Sequence, residues 1–315
     1  MLSRIAQSLY WVGRYVERAE DTARILDVHI HHLLEDASVE EDVACRSLLG
    51  VMGITDVPDP VDINRVTERL AFDASSGTSI RGALVAARDN ARGAQESLSS
   101  ELWECLNSTY NSLPLQVDRA ARAGPHAFFR FVKERSAMIL GLTEATLSRD
   151  DGWRFVVLGR SLERVDMTTR LLMACFGEPC GPSEWVTTLR SCGAHEAFLR
   201  TYRRPANASS VAEFLLLDRL FPRSAFHALG VAEECLAALE PRAGRAGLEG
   251  KARNILGRAR TQLEFRTVGE LIAELPRHLD QLQAACAEAG EAVALRFFNH
   301  TKAIEWSLEE AVGHR

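Results

Sequence analysis

Lysine is almost absent from this chain. Only Lys133, Lys251 and Lys302 occur among 315 residues, so nearly all of the 37 basic side chains are arginines, planar forks of donors rather than point charges. With 43 acidic residues the formal charge is −6, which sets the molecule as a whole against a polyanion, and no nucleic-acid partner is expected. Long apolar runs are missing too. No stretch of about 18 apolar residues exists to cross a bilayer, so no membrane partner is expected. The first residues lead straight into an amphipathic pattern without a basic segment, an apolar segment and a cleavage site, and the expected location is cytoplasmic. The seven cysteines include no C-x-x-C pair, and the spacing of Cys175, Cys180 and Cys192 fits no common zinc pattern; reduced, buried thiols are expected. His29, His31 and His32 cluster in the sequence, but no E-x-x-H arrangement accompanies them, so neither a di-iron site nor any other metal or cofactor is expected. The glycine signatures of dinucleotide and P-loop sites and the G-x-S-x-G elbow are absent as well, leaving no familiar nucleotide loop or nucleophile.

What the chain does hold is a repeated charged helix. Leu9 to Asp27, LYWVGRYVERAEDTARILD, is echoed 146 residues later by Val157 to Met173, VLGRSLERVDMTTRLLM. Gly13, Arg14, Glu17, Arg18, Thr22, Arg24 and Leu26 meet Gly159, Arg160, Glu163, Arg164, Thr168, Arg170 and Leu172. At about 100° per residue, Arg14, Glu17, Asp21 and Arg24 share one helical face. A solvated row of ion pairs would need only some charges, each pair stabilising by a few tenths of a kcal/mol. Recurrence of the same polar residues at the same spacing points instead to geometry: two helices brought close at their glycines, with Glu17 and Glu163 buried and held by arginines of other helices. Such burial is costly unless every charge is paired. One position breaks the repeat, Met167 standing where the first copy has Asp21.

Helical periodicity recurs throughout and no useful strand alternation competes with it, so the expected fold is all-α, an antiparallel helical bundle with two pseudo-repeated halves. A single domain spanning 1–315 is expected, with halves of about 1–126 and 127–289 and a tail, 290–315, that the pattern does not place. Ser3 is expected to cap the first helix and Ser79 to open a long one running to Tyr110. Pro114 and the turn at 123–125 should end that region before a helix of about 127–148. The run VAEFLLLDRLF reads as a buried helix ending near Phe221, which would place Asp218 and Arg219 at an expensive position. Trp306 and Leu308 in the tail are candidates for docking.

The runs SLYWVGRYVERAEDTARILDV, SIRGALVAARDNARGAQESLSSELWECLN, VKERSAMILGLTEATLSRDDGWRFVVLGRSLERVDMTTRLL and FLLLDRLFPRSAF, in this order, resemble the bacterial alpha-E family over about Met1 to Leu239. The resemblance implies an all-helical protein encoded beside a circularly permuted ATP-grasp ligase, commonly with a transglutaminase-like peptidase, and in some relatives fused to the ATP-grasp region. Carried over by motif are Arg14, Glu17, Arg18, Asp21 and Arg24 from the first run and Arg88, Asn90 and Arg92 from the second. The third supplies Arg160, Glu163, Arg164 and Arg170, and the fourth Asp218 and Arg219. The expected role is a non-catalytic or co-catalytic partner of an amide-forming ATP-grasp ligase in peptide synthesis or tagging. Its Arg/Glu cluster would bind a carboxylate- or amine-bearing small molecule or peptide. Two alternatives stand beside it: a self-standing amidohydrolase or aminoacyl-transfer enzyme, and a structural scaffold whose charges only specify the fold.

Overall fold

A computed structural model describes residues 1–35, 40–54, 60–176, 181–241 and 250–298. These residues form fourteen α-helices and no strand. In chain order they are α1 (Ser3–Glu35), α2 (Glu41–Val51), α3 (Ile63–Thr67), α4 (Ile80–Gly93), α5 (Ser100–Ala123), α6 (His126–Thr146), α7 (Asp151–Phe176), α8 (Pro182–Ser191), α9 (His195–Tyr202), α10 (Ala208–Leu217), α11 (Ala225–Leu239), α12 (Lys251–Glu264), α13 (Val268–Ala273) and α14 (Leu275–Val293). Among the described residues no helix is long and apolar enough to cross a membrane.

The two longest helices, α1 and α7, are the axis of the fold. They pack on each other, with α4 and α6 against α1, and α11 and α14 against α7. Their burial follows from a small or apolar residue at almost every inward position: Leu9, Ala19, Ala23 and Leu26 of α1 and Leu158, Leu162, Val165 and Leu172 of α7 are all fully enclosed. Neighbours along this pair step forward together, Leu9 beside Gly152, Gly13 beside Val156 and Arg18 beside Glu163. The central pair therefore runs parallel, while α6 runs antiparallel to α1, its His126 and Lys133 beside Asp27 and its Thr143 near Gly13. At the far end of the described chain, α14 runs into a π-helical turn, Ala294–Phe298, and Phe298 packs against Tyr10 and Phe155.

Several element boundaries differ from their sequence expectations. The helix expected from Ser79 to Tyr110 is interrupted after Gly93 by a 3₁₀ turn, and Ser99 caps a new helix by accepting the Leu102 N–H. Pro114 lies inside α5 rather than after it. The missing N–H leaves the Tyr110 carbonyl without its helical donor, but the helix before it is tied to α6, where Arg135 donates to the Thr109 hydroxyl at 2.7 Å and the Cys105 carbonyl at 2.8 Å, and this packing keeps the helix going. The first helix begins at Ser3 itself, with the Leu2 carbonyl accepting from Ile5 and Ala6. The run expected to continue to Phe221 stops at Leu217, because the Asp218 carboxylate turns back to accept the N–H groups of Leu220 and Phe221. Asp218 and Arg219 are thus at a helix end, half-buried and exposed, and the cost expected of them inside an apolar helix does not arise. Trp306 and Leu308 lie outside the described residues.

Candidate functional site

The site begins with two glycines. A β-carbon on Gly13 would stand 2.0 Å from the Val156 carbonyl oxygen, and one on Gly159 would stand 2.1 Å from that of Tyr10. Only hydrogen fits at either place, so the backbones of α1 and α7 touch where they cross. One turn on, the side chains are close enough to exchange partners. Arg18 donates from Nε to Glu163 Oε1 at 2.6 Å and from Nη2 to Oε2 at 3.1 Å. Arg164 does the same to Glu17, at 2.7 and 3.2 Å. Each carboxylate is almost wholly enclosed, 3% exposed for Glu17 and 1% for Glu163, a burial tolerable only because each is bound through both oxygens.

The outer edges of the two arginines are held by a matching pair of loops. Arg18 reaches the Gly77 carbonyl at 3.3 Å and Arg164 the Pro222 carbonyl at 3.5 Å. Both loops open with an aspartate accepting a backbone N–H two residues on, Asp73 from Ser75 and Asp218 from Leu220. Both close with a serine whose hydroxyl donates to that aspartate's carbonyl while capping the next helix, Ser79 for α4 and Ser224 for α11.

The exchange is broken in two places. Arg14 meets Glu163 and the Tyr10 hydroxyl, whereas its counterpart Arg160 turns away to Glu144 at 3.2 Å and keeps Nε and Nη1 buried without a partner. Beside Arg160, between α1, α6 and α7, is a cavity of about 20 Å³ lined also by Gly13, Ser136 and Thr143. The second break is Arg223, which enters from the loop before α11 to meet Glu17 at 2.8 Å, Glu20 at 2.7 Å, and Asp21. Burial pushes the Glu17 and Glu163 carboxyls up, but Arg223 and Arg164 around Glu17, and Arg14 and Arg18 around Glu163, outweigh it and hold both below the ordinary range. Asp21 goes the other way. Burial lifts it, Arg223 opposes, and the charges of Glu17 and Glu20 add to the lift, leaving it at about 7, with Oδ2 buried and unbonded.

The model of the Alpha-E family, described as "a predicted alpha-helical domain with a conserved ER motif", matches residues 1–298. The chain belongs to the Alpha-E family. The match extends past Leu239, where the resemblance in sequence was expected to end, and takes in the turn that carries Phe298. An uncharacterized protein of Mycobacterium bovis and uncharacterized proteins of two strains of Mycobacterium tuberculosis are each 25% identical to the chain over 270 residues. The alignments cover 78% of this chain and 30% of those proteins, so the chain spans under a third of the length of the curated relatives it matches. No solved structure matches it.

Four Glu-Arg dipeptides occur in this Alpha-E chain, at 17–18, 68–69, 134–135 and 163–164. Glu68 and Glu134 are exposed, and only the first and last pairs clasp each other. Of the remaining motif residues, Arg24 joins the same network through Glu20 Oε1, which also binds Arg223, while the others lie apart. Arg24 pairs along its own helix with Glu20 at 2.6 Å, and Arg170 with Asp166 at 3.1 Å. On α4, Arg88 donates to Asn107 at 3.2 Å beneath the rings of Trp103 and Tyr110, Asn90 donates to the Ala86 carbonyl, and Arg92 is exposed. Asp218 builds its loop, while Arg219 lies over Phe226 and pairs with Glu264 at 3.2 Å. Sequence reasoning missed Arg223, Glu20, Glu144 and Tyr10. A signal existed for Arg223: the spacing from Asp73 to Ser79 repeats from Asp218 to Ser224, which marks residue 223 as a loop position facing the spine.

Proposed function

We propose that this Alpha-E chain is a non-catalytic helical module that works with an ATP-grasp amide-forming ligase, and that its Glu-Arg spine is architectural. The observation that carries this reading is the reciprocal clasp of Glu17-Arg18 and Glu163-Arg164, which turns the repeated charges inward onto each other. Carboxylates held well below neutrality and already bound by two donors make poor general bases. The thiols of Cys192, Cys235 and Cys286, pushed up to about 12 by burial, make poor nucleophiles. Asp21 titrates in the catalytic range but is sealed beneath Arg223, so its proton bears on stability rather than on turnover.

Size argues against the expected use of the cluster to hold a substrate. A cavity of about 20 Å³ holds one water, far short of a carboxylate-bearing amino acid. The relatives support a modular role, since a match to under a third of their length leaves most of each polypeptide for other parts. The test is co-expression with an ATP-grasp ligase of the kind that the family resemblance implies is encoded beside this chain. The two are expected to co-purify, the helical chain alone is expected to turn over no ATP, and ligation by the pair is expected to survive Asp21→Asn. Amide formation or hydrolysis by the purified chain alone would establish the enzyme alternative, and full ligase activity with no association would establish the scaffold.

A further inference from the structure

Away from the spine, the later part of α1 carries a second convergence of side chains. Asp27 and His31 stand one turn apart on α1, and His126, the first residue of α6, arrives beside them. His126 Nδ1 lies 2.8 Å from Asp27 Oδ1, and His31 Nδ1 lies 3.7 Å from the same oxygen. The two imidazole centroids are 4.2 Å apart. One donor atom from each residue lies within 4.8 Å of the other two. Nitrogen and oxygen ligands at about 2.0–2.2 Å around a tetrahedral ion are separated by roughly 3.4 Å, so the three groups are within a small side-chain adjustment of that geometry.

We propose that Asp27, His31 and His126 bind a zinc-class divalent cation that ties the start of α6 to α1, with solvent completing the coordination. Two imidazoles and one carboxylate from two helices suit such an ion, and three protein ligands leave one tetrahedral position open. Access is direct, the side chains of His31 and His126 being 53% and 41% exposed. His31 is already oriented, its Nδ1 standing 2.7 Å from the Asp27 main-chain carbonyl; with the proton there, Nε2 keeps the lone pair. Lys133, 2.6 Å from Asp27 Oδ2, occupies the second oxygen and sets a positive charge nearby that tempers affinity, so the ion takes Oδ1 in place of its present contact with His126 Nδ1. The sequence hid this site because His126 is 99 residues beyond Asp27.

The competing account is an ion-free clamp in which Asp27 simply bridges His126 and Lys133. Titration of the tag-free, full-length, chelator-stripped chain with zinc chloride, followed by calorimetry and by visible absorption of the cobalt(II) form, separates the two. One ion per chain at micromolar affinity is expected, weakened at least about tenfold by His31→Ala and by His126→Ala, and strengthened by Lys133→Met. His31→Ala alters an exposed side chain, so it gives the same readout if His126→Ala disturbs α6. No binding at 100-fold molar excess of zinc, or unchanged affinity in His31→Ala with helical circular dichroism intact, would overturn the proposal.

Discussion

At the scale of single residues, the fold rests on charges that are safe only in pairs. Removing the carboxylate in Glu17→Ala strands Arg164 and part of Arg223, side chains only 11% and 13% exposed, and a loss of about 3–5 kcal/mol is expected. Glu163→Ala should cost a similar amount by stranding Arg14 and Arg18. Urea unfolding reads both, and a midpoint within experimental error of the parent would mean that the arginines find other partners. Asp21 gives a pH signature of its own. Its folded value of about 7 stands above the ordinary 3.8, so the unfolded chain releases this proton first as pH rises. Stability contributed by the protonated acid is fully present below about pH 4 and drains away up to about pH 7, by a few kcal/mol at most. The carboxyls of Glu17 and Glu163, held low, act oppositely and lose their contribution only as pH falls below their ordinary range. Comparing unfolding of the parent and Asp21→Asn from pH 4.5 to 7.5 isolates the first effect: the parent's midpoint is expected to fall relative to the variant's, and parallel profiles would contradict it.

At the scale of elements, the contact between α1 and α7 is set by what is missing from two residues. Alanine at Gly13 or Gly159 would drive a methyl to about 2 Å from a backbone oxygen of the facing helix, and a backbone cannot rotate out of the way. Each substitution is expected to cost about 3 kcal/mol, the upper end for overpacking, by prising the helices apart and stretching both Glu-Arg bonds together. The double variant should cost less than the sum of the singles, because once the helices separate the second methyl has space. Chemical denaturation of the three variants tests this, and strict additivity would show that the two crossings yield independently. The repeated loops belong to this scale as well: each supplies a helix cap and a carbonyl for an arginine of the spine.

At the scale of the molecule, the chain closes on itself through its last described turn. Phe298, far in sequence from α1, is 8% exposed and sits with Tyr10 and Phe155 at the crossing of the two long helices. Tyr10 in turn accepts from Arg14, so this aromatic cluster roofs the charged spine. Phe298→Ala is expected to cost about 3–5 kcal/mol, measured by thermal or urea unfolding. A cost under about 1 kcal/mol would make this turn an appendage of the domain. The same closure bears on the proposed partnership: with its charges clasped inside, the module meets another protein through its outer surfaces, so substitutions at exposed arginines such as Arg92 are the ones to examine for association.

The amino-acid sequence by itself determined the all-α class, the equivalence of the two Glu-Arg helices and the burial of Glu17 and Glu163. Periodicity and spacing are properties of a segment, and a charged row repeated with its glycine leaves few ways to satisfy both copies except against each other. The same reading left the helix pair's direction, the break after Gly93 and the end of α10 at Leu217 to be decided elsewhere, because caps and crossing geometry outweigh propensity there. Tertiary structure alone decided that Arg223 reaches Asp21 from 202 residues away, that Arg160 turns to Glu144 instead of copying Arg14, and that His126 arrives beside Asp27. Those outcomes are set by distances between segments, and a charge or an imidazole carries no mark in the sequence of which distant partner the packing of helices will bring within about 3 Å.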